Sequence, residues 1–305
     1  MNETIKTIGL TKLYPGHVVG VEDLSLSVNE GEIFGFLGSN GAGKTTTIRM
    51  LVNLLFPTGG SATIFGKDSV KHHLDICREI GYLPSAVCPH RYMTGQEFLE
   101  YMGRLSGKSD REYRHYLLKR FDFSEKDIKR KIKQYSTGMA RKIALVQTLQ
   151  SRPRVMILDE PTEGLDPVMQ HIFYELLKEY RDNGGTVFLS SHHLPEVEQV
   201  CDRVAIIRNG RLVALENIHD LVKRMTRSIH VTFKHDVSAS LLKSPAWDIT
   251  GTDGLTVHAR LTGDMDTLIK LLSQFEVQDM SLLNSSLQDV FLDYYRVESN
   301  GRDEA

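Results

Sequence analysis

Gly38-Ser39-Asn40-Gly41-Ala42-Gly43-Lys44-Thr45 follows the pattern G-x-x-x-x-G-K-[ST], and its flanks decide the fold. The apolar run Ile33-Phe34-Gly35-Phe36-Leu37 leads in as a buried strand, and a helical pattern from Thr46 to Leu55 leads out. Three glycines let backbone N–H groups turn inward on phosphate oxygens, Lys44 adds a point charge, and Thr45 offers a hydroxyl to Mg²⁺. The helix start near Thr45 adds its positive dipole end. A chance glycine-rich turn is the alternative, and the strand–loop–helix context argues against it. Gly38, Ser39, Asn40, Gly41, Ala42, Gly43, Lys44, Thr45 and Thr46 are therefore expected to hold a nucleoside triphosphate, in an α/β sheet of the P-loop NTPase class.

Val155-Met156-Ile157-Leu158-Asp159-Glu160 is a second apolar run, ending in two carboxylates. Such a run suits a strand buried on both faces of a parallel sheet, and ligands sit at the carboxyl ends of such strands. Asp159 is placed to hold Mg²⁺ through water, and Glu160 to polarise an attacking water. A solvated acidic strand end is the bland alternative. Tyr135-Ser136-Thr137-Gly138-Met139 opens a helical pattern through Ile143-Ala144-Leu145-Val146 and Leu149. A Ser and a Gly at a helix start can present a hydroxyl and N–H groups to phosphate, although alone they make only an N-cap.

In this order the motifs resemble the nucleotide-binding subunit of ATP-binding cassette (ABC) transporters. The family signature reads roughly LSGGQ; here Ser136 and Gly138 match it, while Thr137 and Met139 replace a Gly and a Gln. The resemblance implies an ATP-hydrolysing subunit, with Ser136 and Gly138 facing the nucleotide of a second ATPase subunit. Leu10-Thr11-Lys12-Leu13-Tyr14 puts Tyr14 where the family stacks an aromatic on adenine; a packed loop tyrosine is the alternative. Pro161-Thr162-Glu163-Gly164-Leu165-Asp166-Pro167 looks like the loop that touches the other subunit, which adds Asp166 to the nucleotide set. Leu189-Ser190-Ser191-His192-His193 places His192 as the γ-phosphate switch histidine, beside Glu160 in catalysis. Glu196-Val197-Glu198 and Cys201-Asp202-Arg203-Val204 continue the pattern.

One further departure is informative. After Ile80-Gly81-Tyr82-Leu83-Pro84 the family usually has a Gln that reaches Mg²⁺ and couples the site to the membrane subunit, and this chain has Ser85. A serine hydroxyl can approach a metal or water but is shorter and lacks the amide donor. The metal set expected from sequence is thus Thr45, Asp159 and Ser85.

Composition narrows the remaining classes. A chain of 305 residues suggests about two domains, and a net charge of −2 gives no reason to expect nucleic acid as a partner. Cys77, Cys88 and Cys201 have no metal-ligand spacing and suit reduced thiols. No signal-peptide pattern opens the chain, and no run approaches the ~20 apolar residues that span a bilayer. A transporter ATPase without spans is expected to dock on a separate integral membrane permease, peripherally at the cytoplasmic face of the membrane.

Residues 1–215 form the expected ABC ATP-binding domain, with a helical subdomain at about 86–150 opening on the capping-box spacing Thr94–Glu97. The basic stretch Arg111 to Lys133 reads equally as a solvated helical face or a docking face. Asn209-Gly210 is a hairpin signal near the domain's end. Residues 216–305 read as a small C-terminal α+β accessory domain, β-β-α-β-α, with Trp247 a local packing anchor. Its Ser286 to Tyr295 segment resembles the ending of drug, antibiotic and ion exporter ATPases, and the residues from Glu298 to Ala305 are expected to be disordered. Two other classes stay open: a soluble ABC ATPase, or an ATP-sensing interaction module with little hydrolysis.

Overall fold

The computed structural model describes residues 2–284 except 17, 87–89, 109, 225–226, 238–241 and 243. Cys88, the Ser286–Tyr295 segment and the Glu298–Ala305 tail lie outside the described residues. Contacts divide the chain into two compact units, Met1–Ile218 and His219–Ala305.

The first unit opens with two long strands, β1 (Glu3–Tyr14) and β2 (Val18–Asn29), then β3 (Ile33–Leu37), α1 (Lys44–Leu51), β4 (Gly59–Ile64), β5 (Lys67–Asp68), α2 (His73–Cys77) and β6 (Ile80–Leu83). A helical region follows: α3 (Gly95–Leu105), α4 (Arg111–Arg120), α5 (Glu125–Ile128) and α6 (Thr137–Leu149). Then come β7 (Val155–Asp159), α7 (Pro167–Asp182), β8 (Thr186–Ser191), α8 (Leu194–Val200), β9 (Arg203–Arg208) and β10 (Arg211–Asn217); α9 (Ile218–Arg224) starts at the unit's last residue and continues into the second.

Two sheets result. One runs β2-β1-β4-β5, all antiparallel; the other runs β10-β9-β3-β8-β7-β6, parallel except for the β10 edge. β3, β7 and β8 are buried at every residue, which is why they read as unbroken apolar runs. Phe188 of β8 packs against Phe34 and Phe36 of β3, with ring centroids 5.7 and 5.4 Å apart. The register sets Leu37 beside Ser191 and Asp159 beside Ser190. The carboxyl ends of three neighbouring strands therefore finish level, and the site gathers there.

Local signals shape this frame. Asn209 and Gly210 take φ of 50° and 79°, the left-handed pair that a two-residue hairpin requires, and join β9 to β10. The Gly210 N–H donates to Ala42 O at 2.9 Å, so the hairpin tip props the phosphate loop. Thr94 and Glu97 form the expected reciprocal cap of α3. The helix after the loop is shorter than its pattern: it stops at Leu51 instead of Leu55, because Asn53 turns left-handed at φ 57°.

The second unit holds β11 (Arg227–Phe233), β12 (Trp247–Asp253), β13 (Thr256–Leu261), α10 (Met265–Leu272) and β14 (Val277–Asn284), with sheet order β12-β13-β11-β14. The expected order β-β-α-β-α lacked one strand: Trp247 begins β12 rather than standing alone. Its buried indole donates Nε1–H to Leu242 O at 2.7 Å and packs with Ile229, Val231, Val257 and Leu268. Among the described residues no helix is long and apolar enough to cross a membrane.

Candidate active site

The phosphate loop leaves β3 and enters α1 through Gly43, at φ 111° in a conformation L side chains avoid. A Cβ on Gly43 would also sit 2.5 Å from Gly20 O, so position 43 admits only glycine. Gly41, at φ 79°, stands open to solvent. The first N–H groups of α1 have no intrahelical acceptors and make an anion seat at the helix start. Lys44 is buried; its Nζ donates to Gly38 O at 2.6 Å and Ser39 O at 3.2 Å, and lies 3.1 Å from Glu160 Oε1. Tyr14, at the end of β1, brings its hydroxyl 3.4 Å from Thr46 Oγ1.

β7 ends at Asp159, fully buried and held from both sides. Thr45 Oγ1 donates to Asp159 Oδ2 at 2.9 Å, and Ser190 Oγ to Asp159 Oδ1 at 2.7 Å. Hard oxygen donors from Thr45 and Asp159, level with the loop, suit Mg²⁺. Glu160 turns left-handed at φ 50°, which throws its carboxylate back toward the loop. One oxygen meets His192 Nδ1 at 2.8 Å; the other is buried, accepts no hydrogen bond and has Lys44 Nζ beside it. The loop lysine, the strand-end carboxylates and the histidine thus converge on one point.

Four residues after His192, on α8, Glu196 is 4 % exposed. Ser191 Oγ donates to its Oε2 at 2.6 Å and accepts from the His193 N–H at 2.9 Å, while Oε1 accepts no hydrogen bond. Burial pushes the Glu196 carboxyl up from 4.5 to about 7. The folded state therefore binds a proton there that the unfolded chain has released. Its stabilising contribution is present below pH 4.5 and is lost as pH rises through about 7. Glu196→Gln, a neutral isostere, should flatten the fall in stability between those limits and raise the melting temperature at pH 8. The gain is at most about 3 kcal/mol, and urea melts at pH 5 and pH 8 measure it. Equal effects of the substitution at both pH values would contradict the assignment.

Other expected residues stand apart from this point. Ser136 caps α6, accepting from Met139 N at 3.2 Å, and lines a cavity of about 820 Å³ with Ser85, Tyr135, Arg141 and Glu163. None of residues 38–46 lines that cavity. Gly138 packs tightly on the 161–167 loop, where a Cβ would come 3.1 Å from Gly164 O. Asp166 caps α7 through Met169 N at 3.0 Å. Ser85, expected among the metal ligands, is tied instead by its backbone: its carbonyl accepts from Arg141 at 2.9 Å.

Arg141, Ser190 and Glu196 were not singled out by sequence reasoning, yet each contacts the site. Arg141 had a faint signal at most, the first of two adjacent cations, Arg141-Lys142, ahead of an apolar stretch of helix. Ser190 and Glu196 stood within the quoted family-like segments, but without a role of their own.

A glycine-rich loop between a buried parallel strand and a helix, with a strand-end Asp on the loop threonine, defines a P-loop nucleoside triphosphatase. Residues 21–163 match the family model described as ABC transporter. The chain is 34% identical over 303 residues to the bacitracin transport ATP-binding protein BcrA of Bacillus licheniformis, covering 96% of this chain and 97% of that one. It is 35% identical over 301 residues to the daunorubicin/doxorubicin resistance ATP-binding protein DrrA of Streptomyces peucetius, covering 94% and 91%. A solved ATP-binding subunit of an ABC transporter superposes with TM-score 0.67 at 29% identity, over 72% of this chain and 92% of that one. A dimeric ATP-binding cassette with ADP and Pi in a post-hydrolysis state shares the fold at TM-score 0.65 and 23% identity, over 70% and 98%. The chain belongs to the ATP-binding proteins of ABC transporters, an ATPase family.

Proposed function

We propose that the chain is the ATPase subunit of an exporter, bound peripherally at the cytoplasmic face of the membrane to a separate integral membrane permease. The observation that carries the catalytic half is the convergence of Lys44, Glu160 and His192 beside the Thr45–Asp159 pair. Tyr14 would stack on the adenine, and residues 38–46 would cradle the phosphates. Thr45 and Asp159 would hold Mg²⁺, which when bound would supply positive charge to offset that of the phosphates. Glu160 would take up the proton of the attacking water as general base, leaving Lys44 for the phosphate. His192, already on the Glu160 carboxylate, would orient that group and sense the γ-phosphate.

Ser136 lies in a cavity that the phosphate loop does not line, which supports a site shared between two subunits. Ser136, Gly138 and Asp166 would then face the nucleotide of a second ATPase subunit. ATP binding would close the pair and hydrolysis would open it, a two-state interface that can drive a permease. Export is supported by likeness to the bacitracin and daunorubicin proteins along nearly their whole length. The second unit, His219–Ala305, is read as an accessory domain carrying no catalytic residue.

The test is fractionation with the membrane partner. The tagged native chain should sediment with membranes, be released by alkaline washing, and copurify in detergent with a polytopic protein whose presence changes its ATPase rate. A chain that stays in the supernatant and turns over ATP at one rate with or without membranes would contradict the transport reading.

A further inference from the structure

Arg141 sits inside α6 with 3 % of its surface exposed, and a guanidinium carries five N–H donors in a planar fork. Here each donor meets a backbone carbonyl. Nε donates to Pro161 O at 2.9 Å, and Nη2 donates to Asp159 O at 3.1 Å and to Glu160 O. Nη1 donates to Pro84 O at 3.0 Å and Ser85 O at 2.9 Å. One side chain therefore grips three successive carbonyls of the turn carrying Glu160, and two of the segment leaving β6.

That grip answers a local problem. Glu160 is a non-glycine residue at φ 50°, a conformation that L side chains disfavour and that persists only where its surroundings impose it. Turning left-handed is what aims the Glu160 carboxylate at Lys44 and His192. Carbonyls 159, 160 and 161 crowded onto one side of the chain repel one another, and a guanidinium between them removes the repulsion. Its charge also lies among the carboxylates of Glu163, Asp159, Glu160 and Glu196. A lysine has one ammonium with three donors and no fork, so it cannot span the two segments.

We propose that Arg141 is a positioning residue that locks the Glu160 turn to the Ser85 segment, so that a shift of either segment moves the carboxylate. This rests on Glu160 being the general base. In this chain Ser85 stands where the family has a Gln, and the mechanical link to the catalytic turn runs through main-chain carbonyls and Arg141 rather than through that side chain.

The test measures turnover and ATP affinity in the full chain for Arg141→Lys, Arg141→Gln, Glu160→Gln and the double variant Arg141→Lys/Glu160→Gln. Arg141→Lys keeps the charge and loses the fork. Its kcat should fall roughly 10²-fold, the size of effect produced by a misplacement of about 1 Å, while ATP affinity stays at the native value. Because Arg141 acts through Glu160, the double variant should be no slower than Glu160→Gln and, like it, should accumulate as a closed dimer with uncleaved ATP. Native kcat in Arg141→Lys with an inactive Glu160→Gln overturns the lock and leaves the general base standing. Near-native turnover in Glu160→Gln instead removes the general base. ATP affinity lost in step with turnover, in every folded variant, marks Arg141 as scaffold only and overturns the proposal. Failure of both Arg141 variants to fold in the presence of ATP does the same.

Discussion

Glu160→Gln is expected to bind ATP with native affinity and hydrolyse it about 10²–10⁴-fold more slowly, the range for loss of a general base. The substitution preserves volume and leaves the phosphate loop intact. It removes the carboxylate that stands 3.1 Å from Lys44 Nζ and 2.8 Å from His192 Nδ1. An amide cannot take a proton from water, so the complex should stall before cleavage. Neutralising Glu160 also frees Lys44 from its ion pair for the γ-phosphate, which favours the closed, ATP-bound dimer. Steady-state turnover and gel filtration with ATP check both halves. Turnover near the native rate would remove Glu160 from the role.

Ser136→Arg is expected to abolish turnover by a different route. Ser136 is exposed, and among the described residues its hydroxyl caps α6 and accepts from Met139 N. An arginine there should leave the monomer's ATP affinity intact, since Tyr14, Lys44 and Thr45 are untouched. A cation and its long side chain in the facing γ-phosphate site would block closure, and turnover would collapse together with dimer formation. Lys44→Ala should show the opposite pattern, weakening ATP binding itself. Equilibrium nucleotide binding on each variant separates the two.

Much of this site was legible in the sequence because its chemistry is bound to local pattern. The loop, the run into Asp159 and Glu160, the Ser136 cap and the Asn209-Gly210 turn each occupy a few consecutive residues whose types decide the backbone. What was not legible depends on residues far apart in the chain. The antiparallel layer of β1, β2 and β4 was missed because bulges break the alternation of β1, and Gly9 turns left-handed within it at φ 57°. β12 is an edge strand with Trp247 buried and its last residues exposed, so only a packing anchor was visible. The helix after the loop was read too far because apolar residues continue past its end, where Leu54 is exposed. Arg141 was overlooked for a related reason. A buried arginine looks like any surface cation until the five carbonyls it holds, gathered from two segments far apart in the chain, are brought together in space.

The central claim is that a complete site needs two copies, the phosphate loop of one facing Ser136 of the other. Mixing Ser136→Arg with Lys44→Ala tests it most directly. A mixed dimer contains one site in which intact Lys44 faces intact Ser136, and one site broken on both sides. Shared sites predict that two inactive proteins regain ATPase activity on mixing, in proportion to the mixed dimers counted by cross-linking. Mixed dimers that form yet stay as inactive as either parent would contradict the claim.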